Sequence, residues 1–243
     1  MIAHVHLLPD HFDPADLQGG VAVIIDVLRA STTIVELLNN GATRVLPCEA
    51  VEEAHDLATR QQSPPLLGGE RAGELIPGFD LDNSPRLCTA DKVANRTIVF
   101  TTTNGTRALQ RSVRADRVII GAFTNRGAVL ASLQNEARTV HLVCAGTDRQ
   151  PTAEDVLLAG VLANSLLESR DKLEEAPLAT QLAILFARER GGSGDEILAT
   201  LRGSIGGRNL QRLGFDADIE FAAQCDVRTL LPEWSRDNGA ISA

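Results

Sequence analysis

Three times along this chain an apolar run stops in a polar loop and a helix-compatible segment follows, and that recurrence limits the fold more than any other feature. Gly20-Val-Ala-Val-Ile-Ile25 has the continuous apolarity of a strand buried on both faces. It leads through Asp26-Val-Leu-Arg-Ala-Ser-Thr-Thr33 into a segment with Ile34, Val35, Leu37 and Leu38 at helical spacing, which stops at Asn39-Asn40-Gly41. Arg44-Val-Leu46 reads as a short strand and Val51 to Gln61 as a helix. A second unit starts at Thr97-Ile-Val-Phe100, passes Thr101-Thr-Thr-Asn-Gly-Thr106 and continues as a helix to about Val113, with Asp116-Arg-Val-Ile-Ile120 as its next strand. At an offset of 73 residues the two units align without a gap, Ser31-Thr32-Thr33 on Asn104-Gly105-Thr106 and Ala42-x-Arg44-Val45 on Ala115-x-Arg117-Val118. A third unit runs from Thr139-Val-His-Leu-Val143 through Cys144-Ala-Gly-Thr-Asp-Arg-Gln-Pro151 into a helix from about Ala153 to Leu167.

This alternation predicts an α/β fold of three layers, with a largely parallel central sheet and two similar strand-turn-helix modules, in one domain over residues 1–243. With 44% hydrophobic but only 3% aromatic residues, the core must be built from aliphatic side chains. Residues 63–92 break the rhythm with glycines and prolines. Their interspersed Leu66, Leu67, Leu75, Ile76, Phe79 and Leu81 favour an ordered, functional loop. Leu178 to Arg188 and Glu196 to Leu201 read as helices, and the rest of the tail has no clear pattern.

A formal charge of −9 without a basic block argues against nucleic acid as a partner. No stretch approaches the roughly 18–20 apolar residues of a membrane span, and the start lacks the pattern of a secretory signal. A cytoplasmic protein without membrane partners is expected; a homo-oligomer is compatible with the composition. Cysteines 48, 88, 144 and 225 form no Cys-x-x-Cys pair, so neither structural zinc nor a disulfide framework is expected.

In open α/β sheets ligands bind beyond the carboxyl ends of the strands, where all three polar loops fall. The turn Thr102-Thr103-Asn104-Gly105-Thr106 joins hydroxyls, a tight Gly corner and a helix start, a combination suited to a phosphate. Its counterpart supplies Arg29, Ser31 and Thr32, with a guanidinium able to fork onto two phosphate oxygens. Ser and Thr are also ordinary helix caps, so one such turn alone would mean little. Asp26 ends an apolar strand, Glu70 follows Gly68-Gly69, and Glu154-Asp155 opens a helix; together they could hold a hard cation such as Mg²⁺. Thr152-x-x-Asp155 also reads as a capping box. His4 and His6 share a strand face without a third ligand nearby in sequence, which favours a plain edge pair. Cys144 to Arg149 is one residue short of the loop a cysteine phosphatase closes around phosphate, so Cys144 reads as a buried hydrophobe.

These same segments resemble the 2-phosphosulfolactate phosphatase family over nearly the whole chain. The resemblance is carried by Val23 to Ile34, Leu67-Gly-Gly-Glu-Arg71, Pro77 to Pro85, Thr101 to Leu109, and Val143 to Thr147 with Glu154-Asp155; Gly207-Arg-Asn-Leu210 and Asp218 to Asp226 add to it. It implies a Mg²⁺-dependent hydrolase that converts (2R)-phospho-3-sulfolactate to 3-sulfolactate and phosphate, a step towards coenzyme M, with a small phosphorylated 2-hydroxy acid as partner. Under that reading Asp26 holds the metal with Glu70 or Glu154, Arg29 and Thr102 to Thr106 take the phosphoryl group, Arg71 takes the substrate's carboxylate or sulfonate, and Asp155 moves a proton. The loop Thr147 to Thr152 is more polar than the family's form. A covalent phosphate on Asp26, a non-catalytic binder of an anionic metabolite and a sugar-phosphate isomerase are the competing expectations.

Overall fold

The computed structural model describes residues 2–167 and 170–243. The expected elements form close to their predicted bounds: strand β1 (Ala3–His6), β2 (Val21–Ile25), helix α1 (Ala30–Asn39), β3 (Arg44–Cys48) and α2 (Val51–Thr59). β4 (Leu66–Arg71), β5 (Glu74–Leu75) and α3 (Ala90–Val93) follow. The second unit is β6 (Thr97–Thr101), α4 (Gly105–Ser112), β7 (Arg117–Gly121) and α5 (Arg126–Leu133). The third is β8 (Val140–Cys144) with α6 (Ala153–Leu166), and the tail adds α7 (Arg170–Glu175), α8 (Leu178–Arg190), α9 (Gly194–Gly203), α10 (Ile205–Arg212), α11 (Asp216–Ala222), β9 (Glu233–Trp234) and β10 (Ile241–Ser242).

The strands form one sheet in the order β1-β8-β2-β7-β9-β10-β3-β6-β4-β5. Two parallel sets, β1-β8-β2-β7 and β3-β6-β4, flank the short antiparallel pair β9 and β10. The modules exchange across this seam. α1 carries the chain from β2 in the first set to β3 in the second, and α4 returns it from β6 to β7. Val21 faces Arg117 in one pair and Arg44 faces Thr97 in the other, so the first strand of each module pairs with the second strand of its counterpart. Arg44 and Arg117 stand 73 residues apart, as aligned, whereas Val21 and Thr97 stand 76 apart. The ungapped alignment therefore fails at the first strands, because the loop after β2 is one residue longer than the turn after β6 and α1, with 10 residues, is two longer than α4, with 8.

Both faces of the sheet are covered. On one, Ala22, Ile24, Val118 and Ile120 pack with Leu37 of α1 and Leu109 of α4. On the other, Val21, Val23, Val140 and Leu142 pack with α5, α6 and α8, while α2 covers Leu46 and Val99. α6 is apolar nearly all round because it lies between the sheet and α8, as buried helices must. Gly160 permits that approach: a Cβ there would stand 2.0 Å from the carbonyl oxygen of Ala183.

Residues 63–92 are ordered, and part of them is a strand. β4 joins the sheet beside β6, its Gly69 at φ +143, where a Cβ would lie 1.9 Å from the Thr101 carbonyl oxygen. Adjacent glycines hide that strand from propensity arguments. Among the described residues no helix is long and apolar enough to cross a membrane.

Candidate functional site

The carboxyl ends of β2, β4, β6 and β8 converge on one cavity of about 430 Å³, roofed by α10. Asp26, Arg29, Glu70, Arg71, Thr103 and Asn104 all line it. Loops predicted separately from sequence therefore share one crevice, as the strand-end rule for α/β sheets requires.

The loop after β2 supplies its charge. Asp26 is 8% exposed; its Oδ1 accepts a 3.3 Å bond from the Ala30 N–H, and its own N–H donates to Ser31 Oγ. Arg29, 2% exposed, donates from Nη1 to Asp218 at 2.8 Å and from Nη2 to the Gly73 carbonyl, with its guanidinium 4.3 Å from the centroid of the Phe215 ring. Those bonds use two of the five guanidinium N–H groups and fix the plane of the fork. Ser31 and Thr32 do not reach the cavity lining. Ser31 Oγ donates to the Ile24 carbonyl and Thr32 Oγ1 to that of Val27, so both hydroxyls shape the loop.

The threonine turn is built mostly from itself. Thr102 and Thr106 exchange bonds: each backbone N–H donates to the other's hydroxyl, at 3.2 and 3.3 Å. Both are buried beneath the surface that Thr103 and Asn104 present to the cavity. Gly105 allows close contact with the charged loop, since a Cβ would stand 2.7 Å from Asp26 Oδ2 and 2.6 Å from Ala30 Cβ.

Glu70 ties this turn to the β4–β5 hairpin, accepting from the Thr103 N–H at 2.9 Å and the Gly73 N–H at 2.7 Å. Arg71 donates to the carbonyls of Glu70 and Glu49 and to Thr101 Oγ1.

Glu154 and Asp155 divide the remaining work. Asp155 accepts from the Val27 N–H at 2.9 Å and the Gly146 N–H at 3.0 Å, which locks the β2 loop to the β8 loop. Both of its oxygens face backbone donors away from the cavity lining, a position suited to bracing the site and poorly suited to exchanging a proton with a ligand. The capping-box reading fails too: Thr152 is the N-cap residue of α6 but makes no side-chain cap. Glu154 does not line the cavity either: it is 1% exposed, has Oε2 unpartnered among the described residues, and lies directly behind the lining residue Gly206, where a Cβ would stand 2.4 Å from its Oε1.

These acids repel one another in a dry place. Burial, and then Asp155, push the Glu154 carboxyl up to about 8. Burial raises Asp155 to about 6 against the pull of the Val27 and Gly146 amides. Asp26 stands well above the usual carboxylate range, first through burial, then through Asp155, with Glu70 and Glu154 adding to it and the Ala30 amide opposing. Such a cluster loses its repulsion when a cation enters. The orphaned Glu154 oxygen and the oxygen-only donor set fit a hard divalent ion.

Sequence reasoning missed several contributors. Asp218, which holds Arg29 and also accepts from Ser84 Oγ, lies 189 residues from its partner. Asn83, with a buried and unpartnered Oδ1, lines the cavity with Thr147 and Asp148 and with Asn209 and Arg212 of α10. The resemblance runs through the segments that carry Asp218, Asn83 and Asn209 but gives those residues no role, and no local pattern pairs Asp218 with Arg29.

A family model described as 2-phosphosulpholactate phosphatase matches residues 6–237. A Symbiobacterium thermophilum protein named probable 2-phosphosulfolactate phosphatase is 43% identical over 218 residues, covering 89% of this chain and 92% of its own. Proteins of the same name from Deinococcus radiodurans and Caldicellulosiruptor saccharolyticus are 41% and 35% identical, covering 96% and 89% of this chain and 92% and 93% of their own.

Proposed function

The chain belongs to the 2-phosphosulfolactate phosphatase family, and on that premise we propose that its crevice hydrolyses the phosphate ester of a 2-hydroxy acid, (2R)-phospho-3-sulfolactate in the first instance, to 3-sulfolactate and phosphate. One observation carries this reading: the buried, mutually repelling Asp26 and Glu70 line a single cavity at the strand ends with the hydrogen-bonded Arg29 and Arg71, and Glu154 and Asp155 stand behind it.

Asp26 and Glu154 would hold Mg²⁺. Glu154 is favoured over Glu70 because each Glu70 oxygen already accepts a backbone N–H, whereas Glu154 Oε2 has no partner among the described residues. When bound, the ion draws charge from the phosphoryl oxygens and makes a water more acidic. Arg29, held flat by Asp218 and Phe215, and the outer edge of the threonine turn grip the phosphoryl group where negative charge gathers in transfer. Water attacks phosphorus in line as it gives up a proton; the ester P–O bond breaks, its electron pair leaves with the 2-hydroxy oxygen, and that oxygen takes up a proton to give the alcohol. Arg71 and Arg212 take the carboxylate and sulfonate at the far end of the substrate. Asp155 acts through position, keeping two loops in register.

Phosphate release from phospholactate and phosphosulfolactate, with Mg²⁺ and then with EDTA, tests the proposal. The expected result is release that Mg²⁺ restores after chelation. Binding without turnover would identify a metabolite binder, and a new organic phosphate without free phosphate would identify an isomerase. Direct attack by water inverts configuration at phosphorus; retention would mean a covalent phosphoenzyme, with Asp26 as its candidate nucleophile.

A further inference from the structure

The first strand carries His4 and His6 on one face, and folding brings them the third imidazole that sequence did not show. β1 pairs with β8 so that His4 faces His141 across the strands. The His6 Nε2 and His141 Nδ1 atoms stand 3.0 Å apart, in rings inclined by only 20°, and His4 meets the His141 ring edge-on at 5.5 Å between centroids. One ligand nitrogen from each of the three lies within 4.8 Å of the other two. Phe12 packs 4.6 Å from His6 on the flank, and Gly20 gives His141 its room: a Cβ there would lie 2.8 Å from the ring.

From this convergence we propose that His4, His6 and His141 form a second metal site, selective for a divalent transition ion of the zinc type and separate from the acid-lined crevice. Three imidazoles suit Zn²⁺, Cu²⁺ or Ni²⁺ and reject Mg²⁺, which seeks oxygen. Tetrahedral zinc with bonds of about 2.0–2.1 Å sets neighbouring nitrogens roughly 3.3–3.5 Å apart. Replacing the His6–His141 hydrogen bond by a metal therefore asks those two atoms to part by only a few tenths of an ångström. His141 is buried while His4 and His6 are half-buried, which leaves a path for the ion and a fourth position for water. The bound ion would clasp the edge strand β1 to β8, well outside the residues that line the crevice.

Chelator-stripped protein, in excess Mg²⁺ to occupy the crevice, should bind Zn²⁺ with one-to-one stoichiometry in calorimetry, and Zn²⁺ should raise its melting temperature. His141→Gln and His4→Gln should each weaken Zn²⁺ binding by more than the roughly 10–100-fold that outer partners of a metal contribute. Long-range ¹H–¹⁵N spectra of the wild-type chain read the site without any variant: Zn²⁺ should shift three of the five histidines and leave His11 and His55 in place. Zinc that binds without moving His4, His6 and His141, or equal affinity in folded His141→Gln, would overturn the proposal.

Discussion

The two turns that meet at Gly105 come from similar modules, yet they are held in opposite ways. The turn after β6 closes on itself: Thr102 and Thr106 are four residues apart and satisfy each other. The loop after β2 is charged and depends on distant elements. Arg29 needs Asp218, 189 residues away, and the Val27 amide needs Asp155, 128 away. Neutral hydroxyls can be buried with local bonds, whereas a buried charge requires a counter-charge or a set of donors wherever the fold can supply one. The comparison separates a hydroxyl-lined turn bonded largely within itself from a charged loop that is held only in the finished fold.

Asp26→Asn should sharpen that contrast most. If Asp26 holds the metal as proposed, its loss is expected to cost about 10³-fold in turnover, about 4 kcal/mol of transition-state stabilisation, in steady-state assays at saturating Mg²⁺. The fold should hold or gain stability, because the substitution removes a repelling charge. Asp218→Ala leaves Arg29 buried and unpaired, so denaturant titration should show a loss of about 3 kcal/mol or more. Next in size is a pH effect. Glu154 rises from 4.5 to about 8 on folding, so the folded chain keeps a proton that the unfolded chain releases. Metal-free protein should lose stability as pH climbs through that window, and Glu154→Gln should flatten the slope. The smallest change is Thr103→Ala, which removes an exposed hydroxyl but keeps the backbone N–H on Glu70. A rise in KM of a few-fold with little change in melting temperature is expected. If Thr103→Ala instead unfolds the chain, the threonine turn is not the self-sufficient element described here.

The same contrast explains what could be read from sequence. The strands β2, β6, β7 and β8 and their helices were legible because their periodicity is local. That Asp26, Glu70, Arg71, Thr103 and Asn104 would line one crevice was legible because each ends a strand or stands at the start of a helix. β4 was hidden by Gly68-Gly69, and β9 and β10, two residues each, are too short to carry a pattern although they form the seam of the sheet. Asp218, Asn83 and Arg212 are ordinary helix or loop residues in sequence and acquire their roles only when α10 and α11 fold over the crevice. Ser31, Thr32 and Asp155 stood in the right motif but face backbone groups. Spacing reports which residues are neighbours, and it cannot report which way a polar atom turns.

The central claim is that the buried acids after β2 and at the start of α6 hold the divalent ion, opposite the arginines and the threonine turn. Anomalous diffraction from crystals soaked in Mn²⁺, an oxygen-seeking stand-in for Mg²⁺, tests it most directly. The account predicts one strong peak within bonding distance of Asp26 and Glu154, lost in Asp26→Asn. A peak elsewhere, or none in the crevice of crystals that still release phosphate in a metal-dependent way, would contradict it.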